Sequence, residues 1–96
     1  MATVEDLPEF AIEALRHYGD RAQARKCIEE SGELGHALTV WIRGRCGPDF
    51  EKAVIDEIAD VIIMAEQMRQ AFGAYEVDER IAFKIQRQRE RMQGGE

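Results

Sequence analysis

Apolar residues in this chain recur at intervals of three and four, and no segment alternates cleanly. That spacing puts them on one face of a helix, whereas a half-buried strand needs alternation. β-Branched residues cluster only at Val61-Ile62-Ile63. Four helices are expected. The first spans about Leu7 to Tyr18, with Asp6 as N-cap, Pro8 in the first turn and Gly19 as terminator. The second runs from about Arg21 to Arg43 behind Asp20, with Ala24, Cys27, Ile28, Leu34, Leu38, Trp41 and Ile42 as its apolar stripe. Gly32 and Gly35 lie inside it at a cost of roughly 1 kcal/mol each relative to alanine, which implies either a close neighbour or ligand, or tolerated weakness. Gly44 to Asp49 reads as a turn. The third helix covers about Phe50 to Phe72 behind Asp49, with Val54, Ile55, Ile58, Val61, Ile62, Ala65 and Met68 on one side, and Gly73 closes it. The fourth runs from Glu76 to Met92, with a narrow stripe of Val77, Ile81, Ile85, Gln88 and Met92. The expected fold is all-α: a four-helix antiparallel bundle-like protomer in one domain, 1–96, with 1–5 and 93–96 frayed.

A chain of 96 residues buries only ~60–65% of its unfolded surface, so sharing core with a second copy would help, as a dimer or tetramer. The longest apolar run, Val61 to Ala65, is far short of the ~20 residues that cross a bilayer. Met1 to Glu9 carries acids where a signal peptide needs bases and an apolar stretch, so a cytoplasmic location is expected. The net charge of −6 argues against a duplex-binding face and leaves nucleic acid out as a partner. The bases gather in two places: Arg21, Arg25 and Lys26, then Lys84, Arg87, Arg89 and Arg91. They form solvated helix faces or meet phosphates. Cys27 and Cys46 lack CxxC spacing. On a single helix they would stand about 28 Å apart, too far for a disulfide, so reduced thiols are expected.

The chemistry gathers in two acidic segments, Glu29-Glu30-Ser31-Gly32-Glu33 and Glu57-Ile58-Ala59-Asp60. Residues three apart share a helix face, so Glu30 points with Glu33, and Glu57 with Asp60. Glu29, four before Glu33, flanks the first pair. The short turn makes their helices antiparallel neighbours. Glu33 lies about as far before the turn as Asp60 lies after it, so both pairs meet at one height. Asp60 sits among Ile58, Val61 and Ile62 and borders an apolar stripe. Converging carboxylates repel unless a cation sits among them. A sulfur-free oxygen cluster suits Mg²⁺, or Mn²⁺, and magnesium also takes substrate phosphates. Two solvated acidic faces are the plainer alternative.

The EExxE of Glu29, Glu30 and Glu33, followed by the ExxD of Glu57 and Asp60, resembles the MazG-like family of all-α nucleoside triphosphate pyrophosphohydrolases. The likeness covers roughly residues 17 to 91. It implies a helical protein that self-associates, binds Mg²⁺ and cleaves a nucleoside triphosphate between its α and β phosphates. By position, Glu30, Glu33, Glu57 and Asp60 would be metal ligands. Glu29 would hold a second ion or orient the attacking water, which makes Glu29, Glu30 and Glu33 the catalytic set. The family places a basic residue of the last helix near the phosphates. Lys84 is the match, with Arg87 and Arg91 on its face; Gln88 stands where some relatives carry asparagine.

Trp41, about 12 Å along the helix from Glu33, could stack a base or pack in a core or dimer seam. His36 could approach the site, and no role follows for His17 or Tyr18. Two other function classes compete. A ferritin-like di-iron protein needs two Glu-x-x-His units, and only Glu33-x-x-His36 is present. A non-catalytic helical interaction module would use the fourth helix but leaves the matched acidic pairs unexplained.

Overall fold

The computed structural model describes residues 1–44 and 47–95. A short 3₁₀ turn, Val4–Asp6, leads into helices α1 (Leu7–Tyr18), α2 (Asp20–Ile42), α3 (Pro48–Phe72) and α4 (Ala74–Gln93). No strand occurs among the described residues. Cys46 and part of the expected turn fall outside them, while Cys27 is a free thiol.

Asp6 stands at the expected N-cap position of α1 but makes no side-chain cap hydrogen bond there; its carboxylate accepts the Thr3 N–H at 2.8 Å. Asp20 and Asp49 lie inside their helices, and Gly19 and Gly47 take the cap positions. Gly19 and Gly73 each turn the chain in a single residue, at φ 92° and 130°, conformations costly for a residue with a Cβ. The Gly19 N–H closes α1 on Leu15 O, and its carbonyl opens α2 by accepting from Gln23 N. Gly73 does the same between Arg69 O and Val77 N.

α3 packs chiefly on α2 and also on α1, which touches α2 more lightly. α4 touches α3 alone. The expected all-α protomer of four helices is present, with α1, α2 and α3 packed together and α4 set against α3 as an arm. The physical reason is the stripe of α4, which finds no cover within one chain: Ile81, Ile85 and Met92 are exposed.

The hydrophobic core of the described residues is Ala11, Ala14 and Met64, joined by buried Gln23, Glu30 and Gln67. Gln67 is only 2% exposed. Its side-chain carbonyl accepts from Gln23 Nε2 at 2.6 Å, tying α3 to α2. Its amide donates to Met64 Sδ at 3.7 Å. Buried amides are tolerated when paired in this way.

The seam follows a spacing of three and four that takes in only part of the apolar stripes. On α2 it is Gln23, Cys27, Glu30, Leu34 and Ala37; on α3 it is Val54, Glu57, Val61, Met64 and Met68, all at least half-buried. Ile28 and Ile42 on α2 are 74% and 75% exposed, and Ile55, Ile58 and Ile62 of α3 also face outward. The radius of gyration is 16.0 Å, against about 12.5 Å for a compact chain of this length.

Arg69 fixes the angle of the arm. Its Nε and Nη2 donate to the two Asp78 oxygens at 2.8 and 2.6 Å, and its Nη1 donates to Glu66 Oε2 at 2.8 Å. The hydrogen bonds from Arg69 hold the Asp78 carboxyl below the ordinary aspartate range. A depressed carboxyl stabilises above its unfolded value, and that contribution is lost as pH falls through the folded value. Asp78→Asn should therefore speed amide hydrogen exchange along 74–93 at neutral pH and leave α2 and α3 unchanged. In the wild type the same loosening should appear only as pH drops below the ordinary aspartate value.

Candidate metal centre

The acids meet on the α2–α3 seam, with Glu30 at the hub. One oxygen from each of Glu29, Glu30 and Glu33 lies within 4.8 Å of the others, and so does one from each of Glu30, Glu57 and Asp60. The two groups share Glu30 and contain no histidine or sulfur.

The exposures differ from those the sequence suggests. Asp60 is exposed, because its apolar neighbours Ile58 and Ile62 face outward. The enclosed acids are Glu30, 7% exposed, and half-buried Glu57. They occupy seam positions flanked by Cys27 and Leu34, and by Val54 and Val61. Glu30 Oε2 and Glu57 Oε2 are buried without a hydrogen-bond partner among the described residues. Glu30 Oε1 faces Lys26 Nζ at 3.2 Å. The Glu30 charge, then desolvation, then the Glu57 charge raise the proton affinity of Glu33. A raised carboxyl contributes stability below its ordinary value and loses it as pH rises. The metal-free cluster is thus under repulsion at neutral pH.

A cleft of about 480 Å³ opens beside the acids. Glu29, Gly32, Glu33 and Glu57 line one end; His36, Ala37, Val40, Phe50 and Ala53 line the rest toward the turn. From Glu29 to Val40 it spans about 16 Å of helix. A Cβ at Gly32 or Gly35 would meet nothing within 4 Å, so no protein neighbour demands either glycine, and Gly32 keeps the floor of the cleft open.

Trp41 lies outside this cleft, in a shallower one with Leu38, Glu51, Val54 and Ile55. His36 borders the acidic cleft. Phe50 was not singled out by sequence reasoning; its position one turn into α3, opposite Val40, would have indicated it. Lys84, Arg87 and Arg91 lie on the exposed surface of α4, which has no contact with α2. Arg87 and Arg80 instead stand over the Phe83 ring, at 5.8 and 4.6 Å. His17 and Tyr18 pair edge to face, with centroids 4.5 Å apart.

A scan against protein-family models, a search of curated proteins and a search of solved structures find no match. The fold and the site define a helical hairpin with a carboxylate-only cluster beside an open cleft. No helix among the described residues is long and apolar enough to cross a membrane.

An unpaired buried acceptor costs about 1–3 kcal/mol, and each kcal/mol moves the melting temperature of a domain this small by roughly 4–8 °C. Glu57→Gln should therefore raise the melting temperature in a chelator, by roughly 4 °C or more, and shrink the rise that Mg²⁺ gives the wild type. Differential scanning calorimetry decides it: a lower melting temperature in chelator would mean that Glu57 already has a partner.

Proposed function

We propose that the protein is a Mg²⁺-dependent nucleoside triphosphate pyrophosphohydrolase of the MazG-like type, releasing monophosphate and pyrophosphate. The observation that carries this reading is the pair of partnerless buried oxygens, Glu30 Oε2 and Glu57 Oε2, inside an all-carboxylate cluster. Carboxylates in a protein seam repel one another and lose hydration, and a hard cation offsets both costs. The donor set fits such an ion: oxygen alone, with an open side toward the cleft. Glu30, Glu33, Glu57 and Asp60 would hold it, with Glu29 available to a second. When bound, it would neutralise phosphate charge and lower the pKa of a water.

The residues of the chain supply the rest. The acidic end of the cleft takes the triphosphate and its apolar end the base, beside His36 and Phe50 rather than Trp41. Glu29, at the rim, orients the attacking water. Glu33, beside Glu29 and Glu30, completes the catalytic set. In-line displacement at phosphorus needs positioning and charge compensation, so no nucleophilic side chain is required.

Self-association belongs to the same reading. A core of three apolar residues among the described ones is small, while Ile55, Ile58 and Ile62 present a row of exposed side chains. Since α4 does not reach α2 in its own chain, Lys84, Arg87 and Arg91 are assigned to the phosphates of a neighbouring copy. Sedimentation equilibrium should give a mass of at least twice 11.0 kDa; a monomer would remove these residues from the site.

The decisive experiment is product analysis after incubation with a panel of ribo- and deoxyribonucleoside triphosphates, with and without Mg²⁺. Monophosphate and pyrophosphate, formed only with metal, are expected. Orthophosphate would mean a different cleaved bond. No turnover across the panel would favour a helical interaction module, to which the exposed arm lends itself. Glu33→Ala and Asp60→Ala should each lower kcat at least ~100-fold while circular dichroism stays helical.

A further inference from the structure

The cluster holds a counter-ion that the reaction above does not use. Lys26 Nζ stands 3.2 Å from Glu30 Oε1 and 3.8 Å from Glu29 Oε1. Helix stability gives little reason for this placement. Glutamate before lysine is the better order on a helix, and the order here is the reverse. The pair with Glu29, exposed on both sides, also contributes little. The acids themselves give the reason: five carboxylates gather, and Lys26 is the base among the described residues with a recorded ion pair to them.

The two partners in the shorter pair differ in freedom. The Glu30 side chain is 10% exposed and that of Lys26 50%, so the carboxylate is fixed and the ammonium can swing on its four-carbon stem. Lys26 satisfies one Glu30 oxygen; the other, Oε2, stays buried and without a partner. The hydrogen bond to Glu30, then the Glu29 charge, raise the proton affinity of the lysine and keep it charged. Glu29 also lines the cleft, so an ammonium that leaves Glu30 remains at the cleft mouth.

We propose that Lys26 is an internal counter-ion, displaced from Glu30 when a divalent cation binds and then paired with a phosphate oxygen of the triphosphate. This rests on the pyrophosphohydrolase reading of the site. Lys26 opposes the cation while the cleft is empty and favours the nucleotide once the cation is in place. Each ligand thereby strengthens the other, and such coupling is reciprocal. Lys26 is a positioning residue, with no part in bond making.

The test uses the full chain as wild type, Lys26→Met, Lys26→Gln and Lys26→Arg. MnCl₂ is titrated calorimetrically without nucleotide. The α,β-methylene analogue of the best substrate is then titrated at saturating Mn²⁺. Both neutral variants should bind Mn²⁺ about tenfold tighter, as expected when a divalent ion no longer competes with a unit charge a few ångströms away. They should bind the analogue about tenfold more weakly, and Lys26→Arg should resemble the wild type in both titrations. Opposite shifts in one variant are something a merely structural lysine does not produce. If the wild type binds Mn²⁺ and the neutral variants bind it no tighter, Lys26 is an ordinary surface pair and the proposal is wrong. Unchanged analogue affinity would overturn its second half. A wild type that binds no Mn²⁺ overturns the metal reading first, and this inference with it.

Discussion

The structure depends on a conflict in its main helix seam. α2 and α3 pack through residues spaced three and four apart, and at matching positions both helices carry glutamate where an apolar residue would give the better core. Glu30 and Glu57 are enclosed, each with an oxygen that no group among the described residues satisfies. Apolar substitution at such positions is often neutral or stabilising. A seam that keeps two carboxylates there trades stability for a charge site. The Gln23–Gln67 pair, farther along the seam and fully satisfied, shows what a buried polar contact looks like when its role is only to join helices.

The rest of the protomer is arranged around that seam. α1 packs on α3 and more lightly on α2, with Ala11 and Ala14 buried, small residues that permit close approach and add little apolar area. The larger side chains, among them Ile28, Ile42, Ile55 and Ile62, lie outside. The cleft runs along the seam toward the turn, charged at one end and apolar at the other, so its polarity follows from the order of residues on two adjacent helices.

Much of this was legible in the residues. The four helices, their terminating glycines and the meeting of the two acidic segments follow from periodicity, glycine placement and a short turn. The inward face of α2 was legible only in part. The apolar stripe holds Cys27 and Leu34, which the seam uses, but also Ile28, Leu38 and Ile42, which are exposed, and it omits the buried Gln23 and Glu30. Hydrophobicity marks every face that leaves water, including faces one protomer cannot cover, and so does not tell an internal seam from an external one. For the same reason Asp60, which borders an apolar stripe in the sequence, is exposed, and Trp41, read as a base platform or a packing residue, lies in a separate cleft with Leu38 and Val54. The position of the arm was likewise hidden: it depends on a glycine dihedral and on Arg69, which pairs across nine residues with Asp78.

That arm separates two kinds of change. Its direction is set at Gly73 by one backbone dihedral and, beyond it, by one guanidinium; neither touches the acidic seam. Substitution at 69, 73 or 78 re-aims α4 while the carboxylates keep their spacing. Substitution at 30 or 57 alters the charge of the seam while the arm keeps its angle. Geometry of assembly and chemistry of the cleft are thus written in different residues, and a lineage of such chains can vary one while the other stays fixed.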